Sequence, residues 1–353
     1  MLTSLNIRNF KCFSEVNIDF SNLTVLAGSN ASGKSSVIQA LLFYAYTMET
    51  HENHIDIRKI YDLDQGLVKD LFSQNPAGSD GNIEIGATTD GMSSGISLKT
   101  SNKSPYVVDV SRTSPPKKNL QITYLRAERV GPRTATPISD SPDNLGYSGE
   151  YTPSVIENAD KIGIKVHEKL LDRDNNIKFS AQIERWMSAI IGKMEIDIIT
   201  DYSKGYTDTK IKNPTTDFSV IPTLTGFGIT YAMPIIAASL LCSARPESVL
   251  VVENPEAHLH PMAQSNIGKF LAILSQCGVQ VIIETHSEHV VDGARIQLRN
   301  DNLTEMMIIN FFEVQKKKIA IKPITLERNG ELAYWPKGFF DQKQTDLREL
   351  LYR

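Results

Sequence analysis

Residues 23–36 read Leu-Thr-Val-Leu-Ala-Gly-Ser-Asn-Ala-Ser-Gly-Lys-Ser-Ser. The apolar run from Leu23 to Ala27 ends in Gly28, and from Gly28 to Ser35 the chain fits G-x-x-x-x-G-K-[ST] at every defined position. Residues 35–48 then set Val37, Ile38, Leu41, Leu42 and Ala45 on one side, which predicts a helix. Strand, glycine-rich turn and helix in this order make the pattern a phosphate loop. Glycines let the backbone curl so that its N–H groups face an anion. The helix N-terminus adds partial positive charge. In such a loop Asn30, Ala31, Ser32, Gly33, Lys34, Ser35 and Ser36 line the phosphates. Lys34 reaches the β and γ phosphates, and Ser35 is a ligand for Mg²⁺.

Composition sets outer bounds. The 353 residues hold 37 basic and 41 acidic side chains, a formal net charge of -4, and are 41% hydrophobic. That argues against a generally basic nucleic-acid coat while leaving room for a local basic groove. No run approaches the roughly 20 apolar residues of a membrane span, so no membrane partner is expected. The first 13 residues alternate polar and apolar, with Arg8 and Lys11 where a signal peptide would be greasy. Three cysteines, Cys12, Cys242 and Cys277, have no metal-site spacing, and a cytoplasmic setting is the expectation.

Outward from the phosphate loop, residues 2–7 and 16–20 read as strands, and 82–125 as an antiparallel meander. Residues 131–153 have few apolar anchors and look like a mobile loop. Residues 155–171 and 179–194 look helical, and 200–218 is a variable stretch. Then α/β alternation returns, with strands expected at 248–252 and 279–283 around a helix at 261–277, and late strands at 306–312 and 318–323.

The strand at 248–252 runs into Glu253-Asn254-Pro255-Glu256. A carboxylate at the tip of a strand beside a phosphate loop holds Mg²⁺, so Glu253 is the metal candidate with Ser35. His258 and His260 could instead be a metal pair, and with Glu256, His286 and His289 a hydrolase centre. That reading leaves Lys34 without a role, and no zinc-like ligand spacing accompanies it. His286 follows the strand at 279–283, where a histidine can reach a γ-phosphate or an attacking water.

Four segments carry a family resemblance: residues 6–13, 23–42, 253–261 and 284–289. In order and spacing they resemble the ABC-type ATPase heads of the RecF/SMC and overcoming-lysogenisation-defect (OLD) group, over nearly the whole chain. The resemblance implies an α/β P-loop NTPase: an ABC-ATPase-like head with a mixed parallel sheet, an antiparallel β subdomain and a small helical lobe. It implies ATP and Mg²⁺ as cofactors, and a homodimer in which two heads sandwich two ATP molecules. The signature loop matches Leu224-Thr225-Gly226-Phe227-Gly228, with Thr225, Gly226 and Gly228 facing the other head's γ-phosphate. Glu253 matches the Mg²⁺-holding acid, His286 the switch histidine, and His260 the loop that communicates across the dimer. Arg126, Glu128, Arg129 and Arg133 fall where the family joins its lobes. There Arg129 is either a phosphate or interface contact or part of a solvated charged loop.

One departure stands out. Asn254 occupies the place of the glutamate that polarises water in many such heads. Asparagine can orient water but cannot take its proton. Glu256, two residues on, is the candidate substitute, and slow turnover is the expectation.

The resemblance implies one head from 1–135 and 220–325, an inserted helical and loop lobe at 136–219, and a short tail domain at 326–353. In the tail, Trp335, Phe339 and Phe340 either pack on the ATPase or form a docking patch. The chain lacks both the long coiled coil of SMC heads and the acids of an OLD nuclease domain. A separate effector, a nuclease or toxin in anti-phage defence, is therefore the expected partner. The alternative is a RecF-like DNA repair ATPase that binds DNA directly through Arg112, Lys117, Lys118 and Lys316 to Lys318.

Overall fold

Alternating apolar residues build the first hairpin. Leu2, Leu5, Ile7 and Phe10 are buried along β1 (Leu2–Phe10), and Phe13 and Ile18 along β2 (Phe13–Asp19). Leu5 lies opposite Ile18, and Phe10 opposite Phe13. The structure, a computed structural model, describes residues 1–63, 65–77, 81–114, 116, 118–171, 177–213, 218–315 and 318–351. The chain divides into two compact units, Met1–Ile122 with Thr304–Arg353, and Thr123–Leu303.

In the first unit the apolar run forms β3 (Leu23–Gly28), and α1 (Lys34–Thr50) follows the glycine-rich turn. The five residues expected on its inner side are buried, and so are Ala40, Phe43 and Tyr44. The helix is therefore enclosed on more than one stripe. It packs on β1 and on the next strands of the meander. The meander consists of β4 (His54–Asp56), β5 (Ile83–Thr89), β6 (Met92–Thr100) and β7 (Val107–Thr113), and its β5 and β6 meet α1. They pair antiparallel in the order β2-β1-β5-β6-β7-β4.

The second unit begins with β8 (Ile122–Leu125), β9 (Ala135–Pro137) and α2 (Thr152–Ile162). The helix is shorter than the sequence suggests because Gly163 takes a left-handed conformation (φ 68) and returns its N–H to Asp160. After α3 (Phe179–Ile190) comes a hairpin, β10 (Glu195–Asp201) and β11 (Tyr206–Lys212). The segment at 136–219, expected to be helical and loop-like, thus also holds strands, and β11 pairs with β9. A turn signal was present: Asp201 accepts from the Ser203 and Lys204 amides, and Gly205 has φ 73. Residues 139–151 are anchored rather than loose. Leu145 is buried, Ser139 and Ser154 are hydrogen-bonded, and a Cβ at Gly149 would lie 2.5 Å from Pro234.

The unit continues with α4 (Phe227–Ser243), β12 (Val249–Glu253), α5 (Pro261–Ser275), β13 (Gln280–Glu284) and α6 (Glu288–Asn300). Every residue of β12 and β13 is buried, and the two run parallel, with Glu253 opposite Glu284. Continuous burial explains why both read as unbroken apolar runs rather than alternating ones.

The chain then re-enters the first unit as β14 (Met307–Gln315) and β15 (Lys318–Thr325). β14 runs parallel to β3, placing Phe312 opposite Gly28, and antiparallel to β15. Of the tail aromatics, Phe339 packs on β14, while Trp335 is exposed. Phe339 is buried with its ring 5.4 Å from Phe311 and 5.3 Å from Trp335, whose indole N–H donates to the Phe339 carbonyl at 2.7 Å. The chain closes with α7 (Gln342–Leu351). No described helix is long and apolar enough to cross a membrane.

Candidate functional site

The phosphate loop lies in the first unit, between β3 and α1. Left-handed backbone at Gly28 (φ 144), Ala31 (φ 58) and Gly33 (φ 98) curls it. At Gly28 a Cβ would also fall 2.4 Å from the Phe312 carbonyl of β14, so glycine is required twice over. At Gly33 it would meet Phe13 at 2.8 Å and Cys12 Sγ at 2.9 Å, in the turn between β1 and β2. Lys34 is buried, and its ammonium donates to the Gly28 and Ser29 carbonyls at 3.0 and 2.9 Å. The lysine is thereby folded back under the loop it serves.

Two features of the loop fit a bound phosphate. No side chain caps α1, and no acid lies in its first turn. The Ser32 hydroxyl is buried and finds no hydrogen-bond partner. A phosphate would satisfy both. Asn30 and Ala31 are exposed, and Ser35 is half-buried. Ser36 accepts a contact from Cys12 Sγ at 3.6 Å, which turns it toward the β1–β2 side.

The acidic strand end lies in the second unit. Glu253 is buried at the tip of β12, where its Oε1 accepts from the Tyr124 hydroxyl at 3.2 Å and its Oε2 from the Ala127 amide at 3.4 Å. Burial raises its pKa, opposed by those two hydrogen bonds and by the charge of Arg129. A cation beside Glu253 would relieve the cost of holding it ionised, which suits a Mg²⁺ ligand.

Arg129 is buried too, and its Nη groups are directed at main chain. Nη1 donates to the Glu253 and Arg126 carbonyls at 2.7 and 3.1 Å, and Nη2 to the Asn254 carbonyl at 2.5 Å. Its guanidinium sits 5.3 Å from the Tyr231 ring. Burial pulls its pKa down to about 10, against the charges of Glu256, Tyr231 and Glu253, so it stays cationic at neutral pH. It is not part of a solvated charged loop: it is buried, and its Nη groups clamp the turn after β12. Arg126 donates to Ser148 at 3.2 Å. Glu128 is exposed and Arg133 is exposed.

Asn254 adopts φ 44, its amide donates to the Glu284 carbonyl at 2.8 Å, and its Oδ1 is buried without a partner. Glu256 is engaged at both oxygens. Oε2 accepts from the Thr285 hydroxyl and Oε1 from the His286 amide, each at 2.7 Å. His286 itself is exposed just past β13.

The signature segment packs against the loop after β12. The His258 ring lies 5.2 Å from Phe227 and 4.5 Å from Tyr231. A Cβ at Gly228 would come 2.9 Å from the His258 carbonyl, so this glycine is demanded by packing. Gly226, by contrast, faces open space at the N-cap of α4, and the Thr225 hydroxyl is turned back to the Pro222 carbonyl at 2.7 Å.

Residues 23–292, more than half of the chain, match the sequence family described as "AAA domain, putative AbiEii toxin, Type IV TA system". The chain belongs to this AAA family. Residues 304–350 match a second family, "Protein of unknown function (DUF3696)". No curated protein matches the chain. Among solved structures, an Smc head bound to the C-terminal winged-helix domain of ScpA is 14% identical, with 93% of this chain and 98% of that chain covered and a TM-score of 0.55. An Smc head with an extended coiled coil, bound to a ScpA domain derived from Pyrococcus furiosus, is 12% identical, with 99% of each chain covered and a TM-score of 0.55. The fold is that of an SMC-type P-loop ATPase head, and the AAA family makes the protein an ATPase of that general type.

Within the AAA domain the histidines do not gather as a hydrolase centre. His258 packs edge-on against Tyr231, and His260 Nδ1 accepts from the Met262 amide at the start of α5. Among the described residues, no three His, Cys, Asp or Glu side chains are placed to hold one metal ion. Of the residues expected to line a basic groove, Arg112 is engaged within the protein. Arg112 spends its donors on the Thr47 and Glu52 carbonyls and the Asn53 side chain, capping the C-terminal end of α1. Lys117, Lys316 and Lys317 lie outside the described residues.

Sequence reasoning missed Tyr124, Thr285, Ser287 and Gln264. One local signal existed: a serine directly before the α6 pattern is an N-cap, and Ser287 Oγ accepts from the His289 and Val290 amides.

Proposed function

We propose that this AAA protein binds Mg²⁺ and ATP, hydrolyses ATP slowly, and uses the bound state to pair two heads as a homodimer. In this reading the loop at 28–36, with Lys34 and the start of α1, takes the phosphates. Ser35 and Glu253 hold Mg²⁺, which when bound neutralises charge on the phosphates. His286 senses the γ-phosphate, and Thr225, Gly226 and the start of α4 face the nucleotide of the other head. The dimer regulates a separate effector, a nuclease or toxin, in bacterial anti-phage defence within the cytoplasm. The AAA head is proposed to comprise 1–135 and 220–325, with 136–219 inserted and 326–353 as the tail.

Asn254 carries the case for slow turnover. At the strand tip it offers a buried, unpartnered amide oxygen, which can orient water but not deprotonate it. Glu256, the nearest substitute, already accepts two hydrogen bonds. ATP turnover and sedimentation with and without ATP test the reading, with Lys34→Ala and Glu256→Gln alongside the native protein. Slow hydrolysis and an ATP-dependent dimer lost in Lys34→Ala are expected. A basal rate near the enzyme median of about 10 s⁻¹, or a dimer indifferent to ATP, would overturn it. A direct DNA-repair role loses support from the commitment of Arg112. Steeply salt-dependent DNA binding by the isolated protein would restore it.

A further inference from the structure

The loops that leave the parallel strands β12 and β13 are tied together at two places. Near the strand ends Glu256 binds Thr285 and the His286 amide. Farther out, in the first turn of α5, Gln264 does the same job with different chemistry. Its Nε2 donates to the Leu259 carbonyl at 2.8 Å, and its Oε1 accepts from the Ser287 hydroxyl at 2.6 Å. Ser287 Oγ in turn caps α6. A side-chain amide donates on one arm and accepts on the other at any pH, which an ionised carboxylate cannot do.

Helix packing makes the reach possible. A Cβ at Gly268 would stand 2.1 Å from the Val290 carbonyl, and one at Gly293 2.0 Å from the Ser265 carbonyl. α5 and α6 therefore meet backbone to backbone. About one turn toward each N-terminus from this contact stand Gln264 and Ser287. On its other side the 254–260 loop is held by the signature helix, through His258 with Phe227 and Tyr231.

We propose that Gln264 is a positioning residue that couples the signature-side loop at His258 and Leu259 to the loop carrying His286. This rests on the ATPase reading above. Displacement of Leu259 is passed through one amide to Ser287, and from there to the residue before it, His286. Gln264 holds the two loops in one register, so that a contact felt at the start of α4 alters the setting of the switch histidine.

The test uses the full chain with Gln264→Ala and Gln264→Glu, read by amide hydrogen exchange and by ATP turnover. In Gln264→Ala, exchange should rise at 257–260 and at 286–290 together, with the phosphate-loop amides unchanged. Turnover should fall on the order of tenfold with KM within about twofold, the scale of one or two lost hydrogen bonds at a positioned group. Gln264→Glu should behave like Gln264→Ala at neutral pH, where its carboxylate opposes the Leu259 carbonyl. It should recover as falling pH protonates the carboxyl and restores a donor. Exchange confined to α5, or a kcat equal to that of the native protein, would overturn the coupling. If the native protein does not hydrolyse ATP, the ATPase reading fails, while the paired exchange response still decides the coupling.

Discussion

The guanidinium of Arg129 grips the main chain at Glu253, with Nη1 on the Glu253 carbonyl at 2.7 Å. Its second arm takes the Asn254 carbonyl. One buried fork thus sets the turn on which the acidic residues stand. Lysine cannot reproduce a planar two-armed grip. Arg129→Lys should therefore lower folding stability by about 1–3 kcal/mol, the cost of leaving a buried carbonyl unmet. Urea unfolding with the native protein as reference checks this, and an unchanged midpoint would show the clamp to be dispensable.

Ser32 should separate folding from binding. Its hydroxyl is buried with no partner in the protein, so Ser32→Ala should leave stability unchanged or raise it. ATP affinity should drop by about fivefold to tenfold, the loss of one hydrogen bond. Calorimetric titration beside a thermal melt reads both. Equal affinity in the two proteins would remove Ser32 from the phosphate site.

At Asn254, conformation and chemistry pull in opposite directions. Asparagine tolerates φ 44 better than glutamate does, so Asn254→Glu should cost about 1 kcal/mol of stability. It also supplies a carboxylate at the strand tip, and turnover should rise if the missing base limits the native rate. Steady-state hydrolysis decides the point, because a fall would mean that Asn254 itself is needed.

Gly268 tests the contact between α5 and α6. On helix propensity alone, alanine would gain about 1 kcal/mol over glycine. Against this, its Cβ would stand 2.1 Å from a carbonyl oxygen that no side-chain rotation can move. Overpacking of that kind costs about 1–3 kcal/mol or more, so Gly268→Ala should be destabilised overall. A higher denaturation midpoint would contradict the packing.

Parts of the fold and site written in contiguous residues were legible from the chain alone. The phosphate loop is one such part, because glycine spacing, a buried strand before it and a helix after it all act within a few residues. The buried strands β12 and β13 are another, since burial on both faces leaves an unbroken apolar run. The hairpin β10–β11 was missed even though its turn chemistry was present, because polar residues outnumber apolar ones in both of its strands.

What the tertiary structure alone decided is the partner of each polar group. Arg129 reaches Glu253 across 124 positions, and Gln264 reaches Ser287 across 23. No periodicity predicts such pairs. A buried guanidinium or amide is satisfied by whichever carbonyl or hydroxyl the packing brings near, and here the packing depends on a strand tip and on two glycines that let helices touch. The same holds for Arg112, whose charge suggested an external partner until the fold placed the Thr47 carbonyl of α1 within its reach. Residue type and spacing were enough to propose the chemistry of the nucleotide site. Which side chains hold that chemistry in place depended on contacts that exist only once the chain has folded.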